Sequence, residues 1–340
     1  MTTQSILSTT LQLLRDQLVD NSFVAHPLLR AVEEAGNLIK VSGGARVEQP
    51  VIFGDHSTIS DLSNTGFEPV SLAVTDPFHT ALYEFASFTQ PIVLSEVERV
   101  ANRGSLAVTS ILQNKVRNVM LSLKKEVSKQ IIRGDSAVLG SIQTLNGMGT
   151  ATLPATTTGW FEGGAFGTQT NVVGGLSKGT FAANNWQNQV YDSAGTLDLE
   201  HIDNLMIQAQ IYHPAGNRPD ILLMSPNCYA AFMGLQQSQV QYTTNAGRDG
   251  LDKDMVGMWR SARIYVDPNL GYANAAGDVV SAYALSSDMF QLYADTEGFL
   301  TMGDMVPVPG TATSAAMVFN RMQLVTGHLA SHGIILNAEA

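Results

Sequence analysis

Two histidines near the C-terminus, His328 and His332, have the spacing that places two metal ligands on one face of a helix. A zinc site also needs at least one more protein ligand. No third ligand is evident, and the surrounding stretch has the pattern of a strand or turn, where a spacing of four fits less well. The sequence therefore predicts no zinc site.

A glycine-rich segment, GGLSKGT at 174–180, resembles a phosphate-binding loop at first sight. In that motif Gly-Lys-Ser/Thr occurs in this order at the start of a helix, so that backbone N–H groups surround the phosphate. Here Lys178 precedes Gly179. The segment therefore predicts no nucleotide site.

The remaining reactive groups form no recognisable constellation. Asp249, Asp252 and Asp254 have a spacing that does not fit a calcium loop and favours a solvated turn. The single cysteine, Cys228, has no local catalytic signature and is predicted to be a small buried hydrophobe. We therefore expect no catalytic site, no metal and no cofactor, and a protein that is not an enzyme.

The charge composition indicates an assembly. Only 14% of the residues are charged, against about 25% in a typical soluble protein. Interfaces between subunits are depleted of charge at their centres, so a self-associating protein fits this composition. A monomer with a surface rich in Ser, Thr, Gly and Asn is the alternative. The net charge of −11 argues against phosphate-backbone binding as the main task.

The sequence also predicts a soluble cytoplasmic product. A single cysteine excludes an internal disulfide and favours a reducing compartment. The N-terminal residues lack the basic segment and apolar run of a signal peptide. No stretch of 18 apolar residues occurs, so we expect no membrane span.

The longest predicted element is a helix from about Glu96 to about Arg133. Ser95 and Glu98 form a capping box at its start. Apolar residues then recur at spacings of three and four without an intervening proline. A continuous helix of this length would extend roughly 55 Å, and Gly104 is its weakest point.

The segment 47–98 is acidic, whereas the predicted helix is mainly basic. The segment contains eight carboxylates and no lysine or arginine, whereas the helix carries eight basic residues and three glutamates. Complementary potentials can pair two copies of a chain, so assembly should weaken as salt rises. The candidate contact residues between subunits are Asp55, Asp61, Glu68, Arg99, Arg103, Lys115 and Arg117.

The other elements indicate an α+β fold. A short amphipathic helix over Ile6–Leu18 and a second helix over Leu28–Ala35 are predicted, followed by strands over Val47–Phe53 and Leu82–Leu94. Buried Trp160, Phe161 and Trp186 lie in a segment of turns and short strands. Asp198 caps a helix, Ile221–Met224 is a buried strand, and Pro226 starts another helix. The strands predicted after Ala262 are Ile264–Val266, Val279–Leu285, Phe290–Tyr293, Ala316–Val325 and Ile334–Leu336.

This order of parts resembles the tailed-bacteriophage major capsid protein of the HK97 fold. The closest local match is ALYEFASFTQPIVLSEVERVANRG at 81–104, with Ser95, Glu98, Asn102 and Gly104 at the start of the long helix. GGLSKGTFAANNWQNQVYD at 174–192 is similar to the segment that leads into the axial lobe of such proteins. The resemblance in the order of parts extends over nearly the whole chain.

The resemblance implies an arm at 1–45, an extended β-hairpin loop at 46–94, a spine helix at 95–140 in a peripheral domain with a sheet, an α/β axial domain at 141–262, and returning peripheral strands at 263–340. It implies hexamers and pentamers that form an icosahedral phage head around double-stranded DNA, assembled in the host cytoplasm. Scaffolding, portal and decoration proteins are the implied further partners. An encapsulin-like compartment that encloses cargo protein is the alternative, and an enzyme with a novel site is a more distant one.

Some members of that family join subunits by an isopeptide bond from a lysine on the extended loop. The bond needs an uncharged lysine amine as nucleophile. The loop at 46–94 contains no lysine, and the nearest are Lys40 and Lys115. We therefore expect a shell held together by noncovalent contacts alone.

Overall fold

A computed structural model describes the chain over seven ranges, namely 27–54, 76–101, 111–135, 139–153, 159–236, 255–299 and 301–338. The chain divides into two compact units. Among the described residues, one unit contains those within 88–125 and 301–320, and the other contains those within 27–87, 126–299 and 321–338. The described helices are α1 (Pro27–Glu34), α2 (Glu96–Ala101), α3 (Ile111–Arg133), α4 (Leu199–Tyr212) and α5 (Pro226–Gln236).

The described strands, in chain order, are β1 (Leu38–Val41), β2 (Arg46–Ile52), β3 (Phe78–Glu84), β4 (Ala86–Ser95), β5 (Val172–Val173), β6 (Leu176–Ser177), β7 (Gln189–Asp192), β8 (Ile221–Met224), β9 (Met255–Trp259), β10 (Ala262–Val266), β11 (Tyr272–Ala273), β12 (Val279–Leu285), β13 (Phe290–Asp295), β14 (Thr301–Met302), β15 (Val306–Pro307), β16 (Thr313–Thr326) and β17 (Gly333–Leu336). Short 3₁₀ turns lie at Ala182–Asn184 and Ser287–Met289.

In the first unit, helix α3 packs on one face of a sheet. Strands β4, β14 and β15 each pair with the long strand β16. Ile92 of β4 and Val318 of β16 form a core with Leu123 of α3, and Val116 and Met120 pack against it. Leu123 and Val119, which also packs against this core, belong to the predicted apolar stripe of the long helix, so this part of the stripe faces the core as expected.

The predicted spine helix is confirmed over Glu96–Ala101 and Ile111–Arg133. Its end is also as expected, because Gly134 follows with a φ of +68° and donates its N–H to the Gln130 carbonyl at 2.9 Å. Continuity through 102–110, including Gly104, lies outside the described residues.

The second unit contains a seven-stranded mixed sheet in the order β7-β17-β12-β8-β10-β9, with β11 beside β12. Its strand β8 is buried at all four residues, Ile221–Met224, as its continuous apolar run predicts. Helices α4 and α5 pack on the sheet through Ile202, Leu205 and Phe232. The predicted Asp198 cap is confirmed, since its carboxylate accepts from the Glu200 N–H at 3.4 Å and the two-way capping box is present.

The strands predicted after Ala262 are confirmed, and they divide between two sheets. Strands β10, β12 and β17 lie in the seven-stranded sheet, whereas β13 and β16 lie in the other. Because β17 pairs in parallel with β7 and β10 in parallel with β8, the last third of the chain completes the α/β layer. The domain boundaries of the predicted scheme stay a prediction.

The start of the chain differs in one respect from expectation. The helix predicted over Leu28–Ala35 is confirmed as α1, and the one over Ile6–Leu18 lies outside the described residues. The single strand predicted over Leu82–Leu94 is wrong, because two strands, β3 and β4, meet there at Phe85. The Phe85 N–H donates to Ala45 in the hairpin, whereas β4 pairs with β16. A run rich in β-branched and aromatic residues predicts strand but does not reveal such a change of sheet.

Candidate assembly surface

Glu98, in the first turn of α2, binds two partners in its own chain. Its Oε2 accepts from the Ser95 N–H at 3.1 Å, which confirms the reach-back half of the predicted capping box. The same oxygen accepts from Lys115 Nζ at 2.6 Å, and that ammonium also donates to the Val93 carbonyl at 3.0 Å. The hydrogen bond from Lys115, followed by that from Ser95, lowers the pKa of Glu98. Lys115 thus joins β4, α2 and α3 of one subunit, and its role between subunits stays a prediction.

Arg117 is exposed on α3, and its contact with another subunit stays a prediction. Lys124 lies seven residues further on, close to the same face, and is also exposed. This helix therefore presents a basic edge, as the charge pattern predicts. Arg99 lies in α2, and the other predicted contact residues lie outside the described residues: Asp55, Asp61, Glu68 and Arg103.

The first unit also exposes large apolar side chains. Val97 and Val100 of α2 are 75% and 55% exposed. Met317 and Phe319 lie on the outward face of β16, where alternate residues are buried and exposed. Soluble monomers rarely expose contiguous apolar patches, and such patches commonly mark contacts with other proteins.

Strands β2 and β3 form a hairpin in the second unit whose two faces differ. Phe53, just after β2, and Tyr83 of β3 are buried on one face. On the other face Ile52 and Phe78 lie directly opposite each other and are 68% and 67% exposed. The exposed apolar pair has no cover within the described residues of this subunit, which makes it a second candidate contact.

Aromatic stacking attaches the buried face of the hairpin to the segment that precedes β7. The Phe53 ring stacks on Phe181 at a centroid distance of 4.5 Å and meets the edge of Trp186 at 5.5 Å. The Tyr83 hydroxyl donates to the Thr326 carbonyl at 3.0 Å. These contacts hold the β2–β3 hairpin against the body of its own unit.

Gly174 explains part of the glycine-rich segment. Its carbonyl accepts from the Leu82 N–H of β3 at 2.8 Å. Its φ is +58°, and a Cβ at this position would lie 2.9 Å from the Ala81 Cβ. A glycine is required here because the hairpin approaches the backbone so closely. The sequence signal was present in the Gly-Gly pair, but its partner lies about ninety residues away in the chain.

Lys178 is fully buried in the middle of the segment that resembles a phosphate loop. Its Nζ donates to the Trp160 carbonyl at 2.6 Å, to Asn188 Oδ1 at 2.8 Å and to Gln169 Oε1 at 3.1 Å. Burial lowers the pKa of Lys178 from 10.5 to about 7, and the Glu162 carboxylate opposes this shift. Three acceptors match the three N–H groups of an ammonium. Lys178 therefore has a structural role, because it links three buried acceptors in different segments of this unit. The sequence analysis did not predict this role.

The same segment, Gly175 to Gly179, has the G-x-S-x-G spacing of a serine nucleophile. Ser177 lies in the short strand β6, and its Oγ accepts from the Thr180 N–H at 3.5 Å. No hydrogen bond joins Ser177 to a histidine within the described ranges. The strand-to-helix turn that exposes such a serine is also not found here, because only a 3₁₀ turn follows.

The two C-terminal histidines act as structural groups. His332 Nδ1 accepts from the Ser286 N–H at 3.1 Å, so the proton is assigned to Nε2, which lies 3.3 Å from Thr326 Oγ1. Burial lowers the pKa of His332 to about 3 and that of His328 to about 4. Within the described part of the chain no group of three or more His, Cys, Asp or Glu side chains could hold a metal ion.

Cys228 is buried in α5, as predicted. The acidic residues Asp249, Asp252 and Asp254 lie outside the described residues. No described helix is both long enough and apolar enough to cross a membrane.

Comparison with known proteins gives a structural likeness only. No family model matches the sequence, and no curated protein is similar enough in sequence to match. The capsid protein of cyanophage A-1(L) is 15% identical with a TM-score of 0.66, covering 98% of both chains. The capsid protein of Myoviridae phage XM1 is 8% identical with a TM-score of 0.60, covering 99% of this chain and 98% of its own. The SrpI encapsulin of Synechococcus elongatus is 10% identical with a TM-score of 0.57, covering 100% of this chain and 96% of its own.

These likenesses extend over the full length of the chains and concern shell proteins of phages and of one encapsulin. The chain therefore has the HK97-like capsid fold, an α+β architecture.

Proposed function

We propose that this chain is the major capsid protein of a tailed bacteriophage. It assembles as hexamers and pentamers into an icosahedral head that encloses double-stranded DNA. The observation that carries the proposal is the full-length likeness to the cyanophage capsid protein at a TM-score of 0.66. The likeness to the capsid of Myoviridae phage XM1, at a TM-score of 0.60, supports it.

The surface of the subunit supports self-association. Both units leave large apolar side chains exposed, among them Val97 at 75% and Ile52 at 68%. Only 14% of the residues are charged. A net charge of −11 suits a container of DNA, because an interior that bound phosphates strongly would hinder packing and ejection.

In this proposal the loop at 46–94 lies over a neighbouring subunit, and the axial domain at 141–262 lies at the centre of the hexamer or pentamer. Arg117 and Lys124 are exposed basic residues of α3 that would meet the acidic loop of another copy. Scaffolding, portal and decoration proteins are the expected partners in the virion. The protein acts as a structural component and not as an enzyme.

An encapsulin-like compartment is the second candidate, and the likeness to the SrpI encapsulin supports it. Both candidates require a closed shell of many copies. They differ in contents, since a compartment encloses cargo protein and a phage head encloses DNA.

Electron microscopy of the purified protein tests the proposal. Expression of the chain alone, and with the genes that neighbour it, should give shells or ring-shaped capsomers in negative stain. Compact monomers at micromolar concentration would contradict both candidates. A portal vertex and nuclease-protected DNA would then identify a phage head, whereas shells that copurify with one cargo protein would identify a compartment.

A further inference from the structure

The hydrogen bonds of the hairpin show which backbone groups of β2 point away from β3. The Phe53 N–H donates to the Pro77 carbonyl, and the Phe85 N–H donates to the Ala45 carbonyl. In an antiparallel pair, hydrogen-bonded and non-hydrogen-bonded positions alternate. The register therefore turns the backbone groups of the residues at 46, 48, 50 and 52 to the outer edge of β2.

The outer edges of the two hairpin strands differ in their backbone hydrogen bonding. The C-terminal half of the outer edge of β3 is covered by the subunit itself, because the Leu82 N–H donates to the Gly174 carbonyl at 2.8 Å and the Glu84 carbonyl accepts from Gln323 Nε2 at 2.5 Å. On the outer edge of β2, Glu48 and Ile52 offer N–H and C=O groups that pair with no strand of the described chain. Pro50 removes one donor from the middle of this edge, which limits indiscriminate pairing.

A cavity of about 550 Å³ lies along β2. It is lined by six consecutive residues, Gln49–Gly54. A cavity against one face of a strand would contact alternate side chains, so contact with consecutive residues indicates a space along the edge. Its other walls include Pro214, Met289 and Gly327.

The residues that line the cavity carry no charge. It contains no lysine, arginine, aspartate or glutamate, and burial holds His328, its one titratable group, neutral at pH 7 by lowering its pKa to about 4. Phosphate-bearing ligands need cations, which this space lacks.

We propose that this cavity and the outer edge of β2 accept an extended, uncharged segment of a second copy of the chain as an added strand. The inference rests on the proposed function, because only an assembly supplies that copy at high local concentration. Strand addition obtains affinity from main-chain hydrogen bonds and specificity from alternate side chains. The added strand would also provide a cross-strand neighbour for exposed Ile52.

The substitution Gly327→Leu tests the proposal by filling the cavity. The φ of Gly327 is not positive, and an added Cβ would meet only the flexible end of Gln49 at 3.4 Å and the Met289 sulfur at 3.8 Å. Gly140→Leu is the matched control, because an added Cβ at that glycine has nothing within 4 Å. Both variants should fold, as thermal melting will show.

Sedimentation and negative stain then measure assembly. We expect the shell yield of Gly327→Leu to fall about ten-fold or more, as loss of one or two hydrogen bonds per contact would give, while Gly140→Leu assembles like the natural chain. Normal assembly of Gly327→Leu would overturn the strand-addition proposal and leave the shell proposal intact. Failure of the natural chain to form shells would overturn both.

If Gly327→Leu does not fold, hydrogen exchange on shells of the natural chain decides. The amides of Glu48 and Ile52 should then exchange about a hundred-fold or more slower than an unpaired amide, because a paired edge is protected. Free exchange at both amides in the shell would overturn the proposal.

Discussion

Loss of the buried Lys178 ammonium should weaken the second unit. Replacing it with methionine keeps much of the volume but leaves the Trp160 carbonyl and two side-chain oxygens without their ammonium. An unsatisfied buried polar group costs about 1 to 3 kcal/mol, so we expect Lys178→Met to lower the free energy of unfolding by about 2 kcal/mol or more. Lys124→Met, at an exposed position of α3, is the control and should change it by less than about 0.5 kcal/mol. Equal urea midpoints for the two variants would contradict this role.

The buried histidines make the subunit sensitive to acid. The pKa values of His328 and His332 are lowered from 6.5 to about 4 and about 3. Below pH 6.5 the unfolded chain therefore binds protons that the folded chain does not. The stability that these groups contribute is present above pH 6.5 and is lost as the pH falls through about 4 and then about 3.

We expect the melting temperature to fall between about pH 7 and about pH 4, and to fall less in His332→Gln over the same interval. Glutamine can accept from the Ser286 N–H but does not titrate. Comparison of each variant with itself at pH 7 removes the effect of lost packing. A pH dependence that is identical in both chains would rule out His332 as a contributor.

At the scale of elements, the hairpin offers a test with two neighbouring residues on opposite faces. Phe53 is 6% exposed and Ile52 is 68% exposed. Phe53→Ala should lower the free energy of unfolding by about 3 kcal/mol, because it leaves a cavity against Phe181 and Trp186. Ile52→Ala should change subunit stability by less than about 0.5 kcal/mol. Hydrogen exchange in Arg46–Ile52 should rise only in the first variant, and a rise in both would show that the faces are misassigned.

The elements that could be predicted from the sequence are those with local signals. The strand Val279–Leu285 was predicted with its observed bounds, because only Ser281 interrupts its apolar run. The Asp198 cap and the Gly134 stop follow from side-chain or backbone chemistry within one turn. Such signals are complete within about ten residues.

The features that could not be predicted depend on partners distant in sequence. The contact between Leu82 and Gly174 and the break at Phe85 depend on which sheet each strand joins. The burial of Lys178 could not be inferred, because a glycine-rich segment around a lysine usually indicates exposure. Of the predicted contact residues, the described structure places Lys115 in an ion pair within its own chain at 2.6 Å from Glu98.

At the scale of the whole molecule, the shell should contain no covalent links between subunits. The loop at 46–94 has no lysine, and the nearest lysines are engaged elsewhere: Lys40 lies over the Phe299 ring at 5.9 Å, and Lys115 binds Glu98. Mature particles boiled in SDS should therefore give a single band near 36.4 kDa. A ladder of multimers that survives a reducing agent would show that another lysine forms the bond.

The single cysteine has a practical consequence. Cys228 is the only thiol in the chain and is fully buried within α5, so the folded subunit offers almost nothing to a maleimide dye. A cysteine introduced at exposed Ile52 would be the one site that such a dye reaches. If a donor dye is attached at this position on some subunits and an acceptor dye on others, energy transfer between the dyes would report when the hairpins of two copies come close together. Because the native Cys228 would stay unlabelled, the fluorescence signal would come from the introduced cysteine alone, and assembly could be followed as it proceeds.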